Sequence, residues 1–305
     1  MLYSKKKLNI KNIIEVLRPH YWTKNLLLIL PFILSDKTLT VIIIIELFYG
    51  ILSFSLCASA LYVVNDIFDK KNDSTHFQKK NRPIASNRIN FKNSLLILVL
   101  FLLSGLSISY FLLDNILFFK ILILYCILSF LYSLYLKKLY ILDCLLLSLL
   151  YLIRIFSGGE LVNVEISFWL IAFSLFLFLS LAFVKRLVEL NLPIKNKKIN
   201  GRGYLKTDNF LILILAINTG YLSIFALILY MSSEQILYYS NFETLWFIIF
   251  LFIFWISRIY IHAWRGYIKI DPVKYVLKDS VSIIILILIT CFYFFWIIRS
   301  SYLGI

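Results

Sequence analysis

The chain has 305 residues, is 61% hydrophobic and carries a formal net charge of +15. Ordinary soluble domains are only about 45–50% apolar, so this composition excludes them and indicates a polytopic helical membrane protein. The apolar stretches are continuous rather than alternating, which argues against a transmembrane β-barrel. A charge of +15 would indicate nucleic-acid binding in a soluble protein. Here its placement indicates membrane topology and phosphate binding, and no nucleic-acid partner is expected.

Nine apolar runs predict membrane-spanning helices, which together form one all-α domain over residues 1–305. In chain order they cover roughly residues 23–36, 41–64, 92–113, 116–136, 140–158, 166–188, 209–231, 243–264 and 280–299. The first run is short and contains Pro31. No cleavage site with small residues follows the basic start of the chain, so no removable signal peptide is expected.

Lysine and arginine are concentrated on one predicted side of the membrane. They lie in the segment before the first run and in the loops after the second, fourth, sixth and eighth runs. The positive-inside rule places these segments in the cytoplasm of a protein of the cell membrane. With nine spans, the C-terminus is then expected outside. Four cysteines lie within apolar runs, without metal-ligand spacing or a disulfide framework.

Three carboxylates follow the second run in the stretch "NDIFDKKND". Asp66, Asp69 and Asp73 share one face if this stretch is helical, with Asn65 beside them. Like charges in that pattern repel each other, whereas a divalent cation would bind them together. Carboxylate and amide oxygens are hard ligands suited to Mg²⁺, although a solvated helix end with scattered charge is the simpler alternative.

Several cations accompany these acids on the predicted cytoplasmic side. Arg82 precedes Pro83, which favours extended backbone and could hold the arginine for bidentate phosphate binding. The alternative is an ordinary positive-inside arginine. Other segments mix basic, acidic and tyrosyl groups and supply these further candidates: Arg18, Lys24, Tyr132, Lys137, Lys138, Asp143, Lys185, Arg186, Glu189, Arg202, Tyr204, Arg265, Asp271 and Asp279. Taken singly, most such cations are snorkelling anchors.

Two arginines lie inside apolar runs, where a charge costs about 2.5–3.5 kcal/mol on insertion scales. Arg154 and Arg258 are therefore expected to face a polar cavity or a partner group. Arg258, His262 and Arg265 share one face of the eighth span, and His262 is interpreted as an interhelical histidine rather than a catalytic one.

At "NDIFDKKND" the sequence resembles the UbiA superfamily of intramembrane prenyltransferases, whose first motif is NDxxDxxxD. The resemblance covers nearly the whole chain and implies nine helices around a central cavity open to the cytoplasm. It is closest to the branch of decaprenyl-phosphate phosphoribosyltransferases. The segments that carry it are "LRPHYWTKN", "NRPIAS", "YSLYLKKLYILD", "RIFSGG", "KRLVEL" with "RGY", and "RGYIKIDPVKYVLKDSVS".

One segment departs from the wider superfamily, whose second aspartate-rich motif follows helix 6. Here that place reads "KRLVELNLPIKNKK", in which Glu189 is the only acid. This weakens the case for a prenyl diphosphate donor and favours a donor with a further phosphate held by lysine and arginine.

The resemblance implies Mg²⁺-dependent transfer of 5-phosphoribose from phosphoribosyl diphosphate to a polyprenyl phosphate. Asp66, Asp69 and Asp73 would hold the metal, and Glu189 would join them as a catalytic group. The expected substrate-binding residues are Lys24, Asn65, Arg82, Tyr132, Lys137, Lys185, Arg186, Arg202, Arg258, Arg265 and Asp271. Glu189 and Asp271 would orient the cations or the ribose hydroxyls.

Two alternatives remain open at this point. The first is a related enzyme that prenylates an aromatic or other small acceptor from a prenyl diphosphate. The second is a transporter or lipid-binding membrane protein whose carboxylates gate an ion path. A transporter would carry carboxylates in the middle of its spans, whereas those singled out here lie near predicted cytoplasmic ends. The sequence leaves a homo-oligomer open.

Overall fold

The computed structural model describes residues 9–75, 79–191, 201–231 and 242–302, with the side chains of 242–245 and 293–302 excepted. The described residues are mostly helical and contain no β-strand, which confirms the all-α prediction. The chain divides into two compact units: residues 1–166 with 200–202, and residues 167–199 with 203–305. The prediction of a single domain over 1–305 stays a prediction.

In the described part of unit 1 there are six α-helices and two 3₁₀ segments. The helices are α1 (Ile10–Leu17), α2 (Leu30–Ile33), α3 (Val41–Thr75), α4 (Phe91–Phe111), α5 (Ile116–Leu134) and α6 (Leu142–Val162), and the 3₁₀ segments are Pro19–Ile29 and Leu136–Lys138. Helix α3 packs against α1, α4, α5, α6 and the first 3₁₀ segment. A buried apolar core that includes Leu28, Phe54, Phe118 and Ile153 joins α3, α5, α6 and the first 3₁₀ segment, whereas α1 packs in a second cluster through Val16 and Leu17.

The described residues of unit 2 form five α-helices and one 3₁₀ segment. These are α7 (Phe168–Asn191), the 3₁₀ segment Lys206–Asp208, α8 (Asn209–Met231), α9 (Phe242–Trp264), α10 (Pro272–Val276) and α11 (Ser280–Tyr302). Buried polar groups link three of the helices, since Ser180 of α7 donates to the carbonyl of Ala216 in α8 at 2.8 Å. The hydroxyl of Tyr260 in α9 reaches the same carbonyl at 2.9 Å. Interhelical hydrogen bonds of this kind fix helix register where apolar packing alone would permit sliding.

Within the described residues, seven helices, α3 to α9, are long and apolar enough to cross a membrane. The predicted count of nine is not confirmed. The last predicted span corresponds to α11, of which Ser280–Phe292 is described with side chains and is apolar.

The first predicted span, 23–36, is not confirmed as a spanning helix. The structure has an eleven-residue 3₁₀ helix over Pro19–Ile29, followed by the single turn of α2, which contains Pro31. Hydrogen bonds attach this segment to α3. The Trp22 indole donates to Ser59 at 3.0 Å, and Asn25 donates to Ser55 at 2.9 Å. The local hydrophobic pattern does not encode these contacts, because Ser59 and Ser55 lie 30 or more residues away from Trp22 and Asn25 in the sequence.

Candidate functional site

The three carboxylates of the first motif lie on α3, which continues past the predicted end at residue 64 to Thr75. The expectation that the motif is helical is therefore confirmed. Asp66 is 2% exposed, and Asp73 is also buried. The spacing of Asp66, Asp69 and Asp73 places them on one face of the helix, where their mutual repulsion must be offset by neighbouring charges.

Two arginines supply part of that compensation. The Arg82 guanidinium bridges two acids, 3.1 Å from Asp66 Oδ1 and 2.6 Å from Asp73 Oδ2. Arg18 Nη2 lies 2.5 Å from Asp66 Oδ1. Arg18 adopts a left-handed backbone conformation with φ 53°, which costs energy for a residue with a Cβ. The ion pair with Asp66 offsets that cost.

Lys137 compensates the third acid. It is 3% exposed, and its ammonium lies 2.6 Å from Asp69 Oδ1 and 3.1 Å from Asn65 Oδ1. The short 3₁₀ segment between α5 and α6 carries it there. Burial lowers the pKa of Lys137 from its ordinary value, while the hydrogen bond and charge of Asp69 oppose that shift. The Lys137 ammonium is therefore largely removed from water and held by side chains of α3.

Two more predicted residues join this network. Arg202 donates to the Tyr132 hydroxyl at 3.0 Å and to the carbonyl of Lys137 at 3.4 Å. Gly201, before it, has φ 79° and approaches the Asn72 side chain, so a side chain there would be strained and crowded. The structure thus brings together eight predicted residues of unit 1: Asn65, Asp66, Asp69, Asp73, Arg82, Tyr132, Lys137 and Arg202.

Lys24 lies on the first 3₁₀ segment among aromatic rings. Its ammonium is 4.9 Å from the ring centroid of Tyr21 and 5.4 Å from that of Tyr151. Such cation–π contacts help to hold the ammonium in place.

The carboxylates of α3 fit a divalent cation by their chemistry. In the part of the chain that is described, no three acidic, histidine or cysteine side chains lie close enough to hold a metal ion, because each α3 acid faces a cation. However, Asp66 Oδ2 is buried and lacks any hydrogen-bond partner there. Such an atom is costly to leave unpaired, and hard carboxylate oxygens match Mg²⁺. Holding a metal would require the acids to give up part of their pairing with the cations.

In unit 2 a second group of predicted residues gathers at the end of α7. Lys185 Nζ lies 3.2 Å from Asp271 Oδ2. Arg186 is fully buried and pairs with Glu189, one turn along the helix. Asp271 also caps α10 by accepting from the amide of Val273. The rest of the acid-poor loop, 192–200, lies outside the described residues.

Arg258 and Arg265 have different surroundings. Arg258 forms a bidentate pair with Asp279, at 2.6 and 3.0 Å. This hydrogen bonding is the largest influence holding the pKa of Asp279 below its ordinary range. His262 contacts the Tyr275 hydroxyl at 2.6 Å, in agreement with an interhelical role. Arg265 follows the end of α9 and is exposed.

Arg18 and Asp279 are not among the substrate-binding or catalytic residues expected from the sequence, yet both form ion pairs in the structure. Arg18 meets Asp66 across 48 positions of sequence, and no local pattern encodes that contact. A charged residue next to Pro19, where the helix must end, was the available signal.

The opposite face of α3 is apolar. Val64, Ile67 and Phe68 line a groove of about 530 Å³ with residues of α4 and α5. Helical spacing turns these residues away from the three acids, so this groove suits hydrocarbon and does not extend the charged site.

The chain matches a known protein family and solved structures. A family model described as the UbiA prenyltransferase family matches residues 33–274. A solved UbiA homologue from Archaeoglobus fulgidus, bound to GPP and Mg²⁺, matches with a TM-score of 0.65 and 15% identity over 95% of this chain and 99% of that one. At that identity the match establishes the fold.

Several curated proteins are similar to this chain. An uncharacterized protein of Sinorhizobium fredii is 32% identical over 90% of this chain, and the match spans 53% of that relative, about half its length. The nodulation protein NoeC of Azorhizobium caulinodans is 29% identical over 88% of each chain. The decaprenyl-phosphate phosphoribosyltransferase of Mycobacterium tuberculosis is 26% identical over 60% of this chain and 61% of that protein.

Proposed function

We propose that this chain, which belongs to the UbiA prenyltransferase family and is a multi-pass membrane protein, transfers 5-phosphoribose from phosphoribosyl diphosphate to a polyprenyl phosphate. The observation that carries the proposal is the array of Arg18, Arg82 and Lys137 against the acids of α3. Alternating acids and cations suit a ligand that brings both a metal and several phosphate oxygens. The relatives named decaprenyl-phosphate phosphoribosyltransferase support the choice of donor and acceptor.

Asp66, Asp69 and Asp73 would hold Mg²⁺, with the unpaired Oδ2 of Asp66 as the first available ligand atom. When bound, the ion would neutralise charge on the diphosphate leaving group. The structures of UbiA homologues bound to Mg²⁺ and prenyl diphosphates make such a dependence plausible for the family.

The cations would change partners when substrate binds. Lys137, Arg82 and Arg18 are each paired with an α3 carboxylate in the structure. If a metal neutralises those carboxylates, the three side chains can contact phosphate oxygens instead. Charge-assisted hydrogen bonds of this type are the strong ones and contribute about 1.5–3 kcal/mol each.

The reaction itself is a displacement at ribose C1. An oxygen of the polyprenyl phosphate forms a bond to C1 while the bond from C1 to the diphosphate oxygen breaks, and diphosphate leaves with that electron pair. Positive charge develops on the ribose ring, by analogy with glycosyl transfer. The acceptor phosphate is already anionic near neutral pH, so no proton has to be removed from it by a general base.

The 5-phosphate of the donor would need its own cations. Lys185 and Arg186 stand at the end of α7, where related enzymes carry a second acidic motif, and Glu189 and Asp271 hold them in place. Two cations held in place by carboxylates would suit a phosphate that is bound directly by side chains, without a metal. Arg265, exposed after α9, is a further candidate.

The competing function is prenyl transfer from a prenyl diphosphate to a small acceptor. The fold shared with homologues bound to GPP or DMAPP favours it. The stretch "KRLVELNLPIKNKK", with Glu189 as its only acid, disfavours it because it lacks the carboxylates that would hold a second metal.

The test is incubation of purified protein with Mg²⁺, decaprenyl phosphate and phosphoribosyl diphosphate labelled in the ribose. Label is expected in the lipid phase. Parallel reactions contain geranyl diphosphate with 4-hydroxybenzoate, and the variant Asp66→Asn serves as the inactive control. Turnover of geranyl diphosphate, with none of phosphoribosyl diphosphate, would replace the proposal with the competing function.

A further inference from the structure

Arg154 is a charged side chain in the middle of α6, a helix apolar enough to cross a membrane. It is 4% exposed, and a guanidinium keeps its proton in proteins. Within the described residues no carboxylate lies within ion-pair distance of it. A charge buried at this depth is costly, so its retention calls for a role.

The partners of Arg154 are neutral groups on several elements. Its Nε donates to Asn25 Oδ1 at 2.8 Å, and its Nη2 donates to the Tyr125 hydroxyl at 2.9 Å. A third bond goes to the carbonyl of Leu150, in its own helix. Asn25 is 1% exposed and in turn donates to Ser55 of α3. One guanidinium thus ties α6 and α5 to the first 3₁₀ segment, and through that segment to α3.

The 3₁₀ segment needs such a tie. Runs of 3₁₀ helix longer than three or four residues are uncommon because their hydrogen bonds have poor geometry. Pro19–Ile29 extends over eleven residues. Its conformation must therefore depend on contacts with its neighbours. Gly158, one turn after Arg154, lets the backbone at Leu28 approach so closely that a Cβ would collide with it.

Lys24 is the neighbour of Asn25 on this segment. Its ammonium lies 5.4 Å from the centroid of Tyr151, and the guanidinium carbon of Arg154 lies 5.6 Å from the same centroid. Arg154 therefore contacts both the residue next to Lys24 and the ring on which Lys24 stacks.

We infer that Arg154 is a positioning residue: it fixes the 3₁₀ segment against α6 so that the Lys24 ammonium is held where an anionic phosphate can bind it. The inference rests on the proposed function and takes Lys24, one of the substrate-binding residues expected from the sequence, as a phosphate-binding residue. It does not depend on which phosphorylated donor is used.

A double-mutant cycle between Arg154→Gln and Lys24→Ala tests this role, with KM and kcat measured for both substrates. Arg154→Gln is expected to raise about tenfold the same KM that Lys24→Ala raises, with a smaller change in kcat. In the Lys24→Ala background, Arg154→Gln should add nothing to that KM. Arg154→Lys should recover part of the loss. Ser157→Ala is the matched control, because Ser157 is buried on the same helix and its hydroxyl donates to the Ile153 carbonyl of that helix.

Other outcomes overturn the inference. If the effects of the two substitutions on KM are additive, Arg154 acts independently of Lys24. The same conclusion follows if Arg154→Gln lowers only the thermal stability and leaves KM unchanged. If Arg154→Gln does not fold, Tyr125→Phe removes one hydrogen bond and should raise the same KM about threefold; an unchanged KM contradicts the inference. If the wild type uses only a prenyl diphosphate, the proposed donor is wrong, and the cycle is run with that donor. If Lys24→Ala leaves both KM values unchanged, Lys24 does not bind a substrate phosphate, and the positioning role inferred for Arg154 is wrong.

Discussion

Removal of the Lys137 ammonium is the sharpest perturbation of the site. The side chain is buried and contacts both Asp69 and Asn65, so Lys137→Met keeps the apolar stem and deletes only the charged end. If that end contacts a donor phosphate during turnover, its loss costs about 1.5–3 kcal/mol of transition-state binding. At 1.4 kcal/mol per factor of ten, kcat/KM for the donor should fall about ten- to a hundredfold.

The neighbouring lysine provides a matched control. Lys138 follows in the same 3₁₀ segment but is exposed, so Lys138→Met changes the net charge equally and touches no part of the acid network. Its kcat/KM should stay within about twofold of wild type. The assay is donor-dependent turnover in detergent or nanodiscs, with thermal unfolding measured alongside. Equal small effects of the two substitutions would refute the role given to Lys137, since general electrostatics would then explain both.

The remaining predictions concern the metal, the end of α7 and an acid-sensitive ion pair. Asp66→Asn should abolish turnover and weaken Mn²⁺ binding, followed by electron paramagnetic resonance; unchanged binding would remove Asp66 from the ligand set. Arg186→Ala or Lys185→Ala should weaken donor use about ten- to a hundredfold while the KM for the lipid changes much less; the reverse pattern would assign these cations to the acceptor. The pKa of Asp279 is held low chiefly by hydrogen bonding from Arg258, so this pair should stabilise the fold above the ordinary carboxyl range and lose that effect as pH falls below it. Asp279→Asn should lower Tm at pH 7 and flatten the acid limb of a Tm–pH curve; an unaltered curve would show that the pair does not contribute.

The acidic face of α3 could be predicted because it depends only on the spacing of residues within one short stretch of sequence. The spacing of Asp66, Asp69 and Asp73 survives any error in the helix limits, and the same helix carries all three in the structure. Lys137 and Arg82 are expected substrate-binding residues through the family resemblance, which includes the segments "YSLYLKKLYILD" and "NRPIAS". Their pairing with particular acids is tertiary and came from the structure.

What the sequence could not supply depends on contacts between distant segments. The segment around Lys24 looked like a short apolar span, yet Trp22 and Asn25 hold it on α3 as a 3₁₀ helix. Arg154 could be singled out as an expensive charge, but its bond to Asn25 crosses 129 positions. Arg18 is one cation among many in the sequence, and only the fold brings it to Asp66. In each case the decisive partner is polar, buried and remote in sequence.

The most direct measurement of the central claim is the fate of ribose-labelled phosphoribosyl diphosphate when wild-type protein, Mg²⁺ and decaprenyl phosphate are combined. The account predicts that label enters the lipid fraction in a one-to-one ratio with released diphosphate, and that chelation of Mg²⁺ or Asp66→Asn prevents both. Diphosphate released from geranyl diphosphate, while the ribose label stays in the aqueous phase, would contradict it.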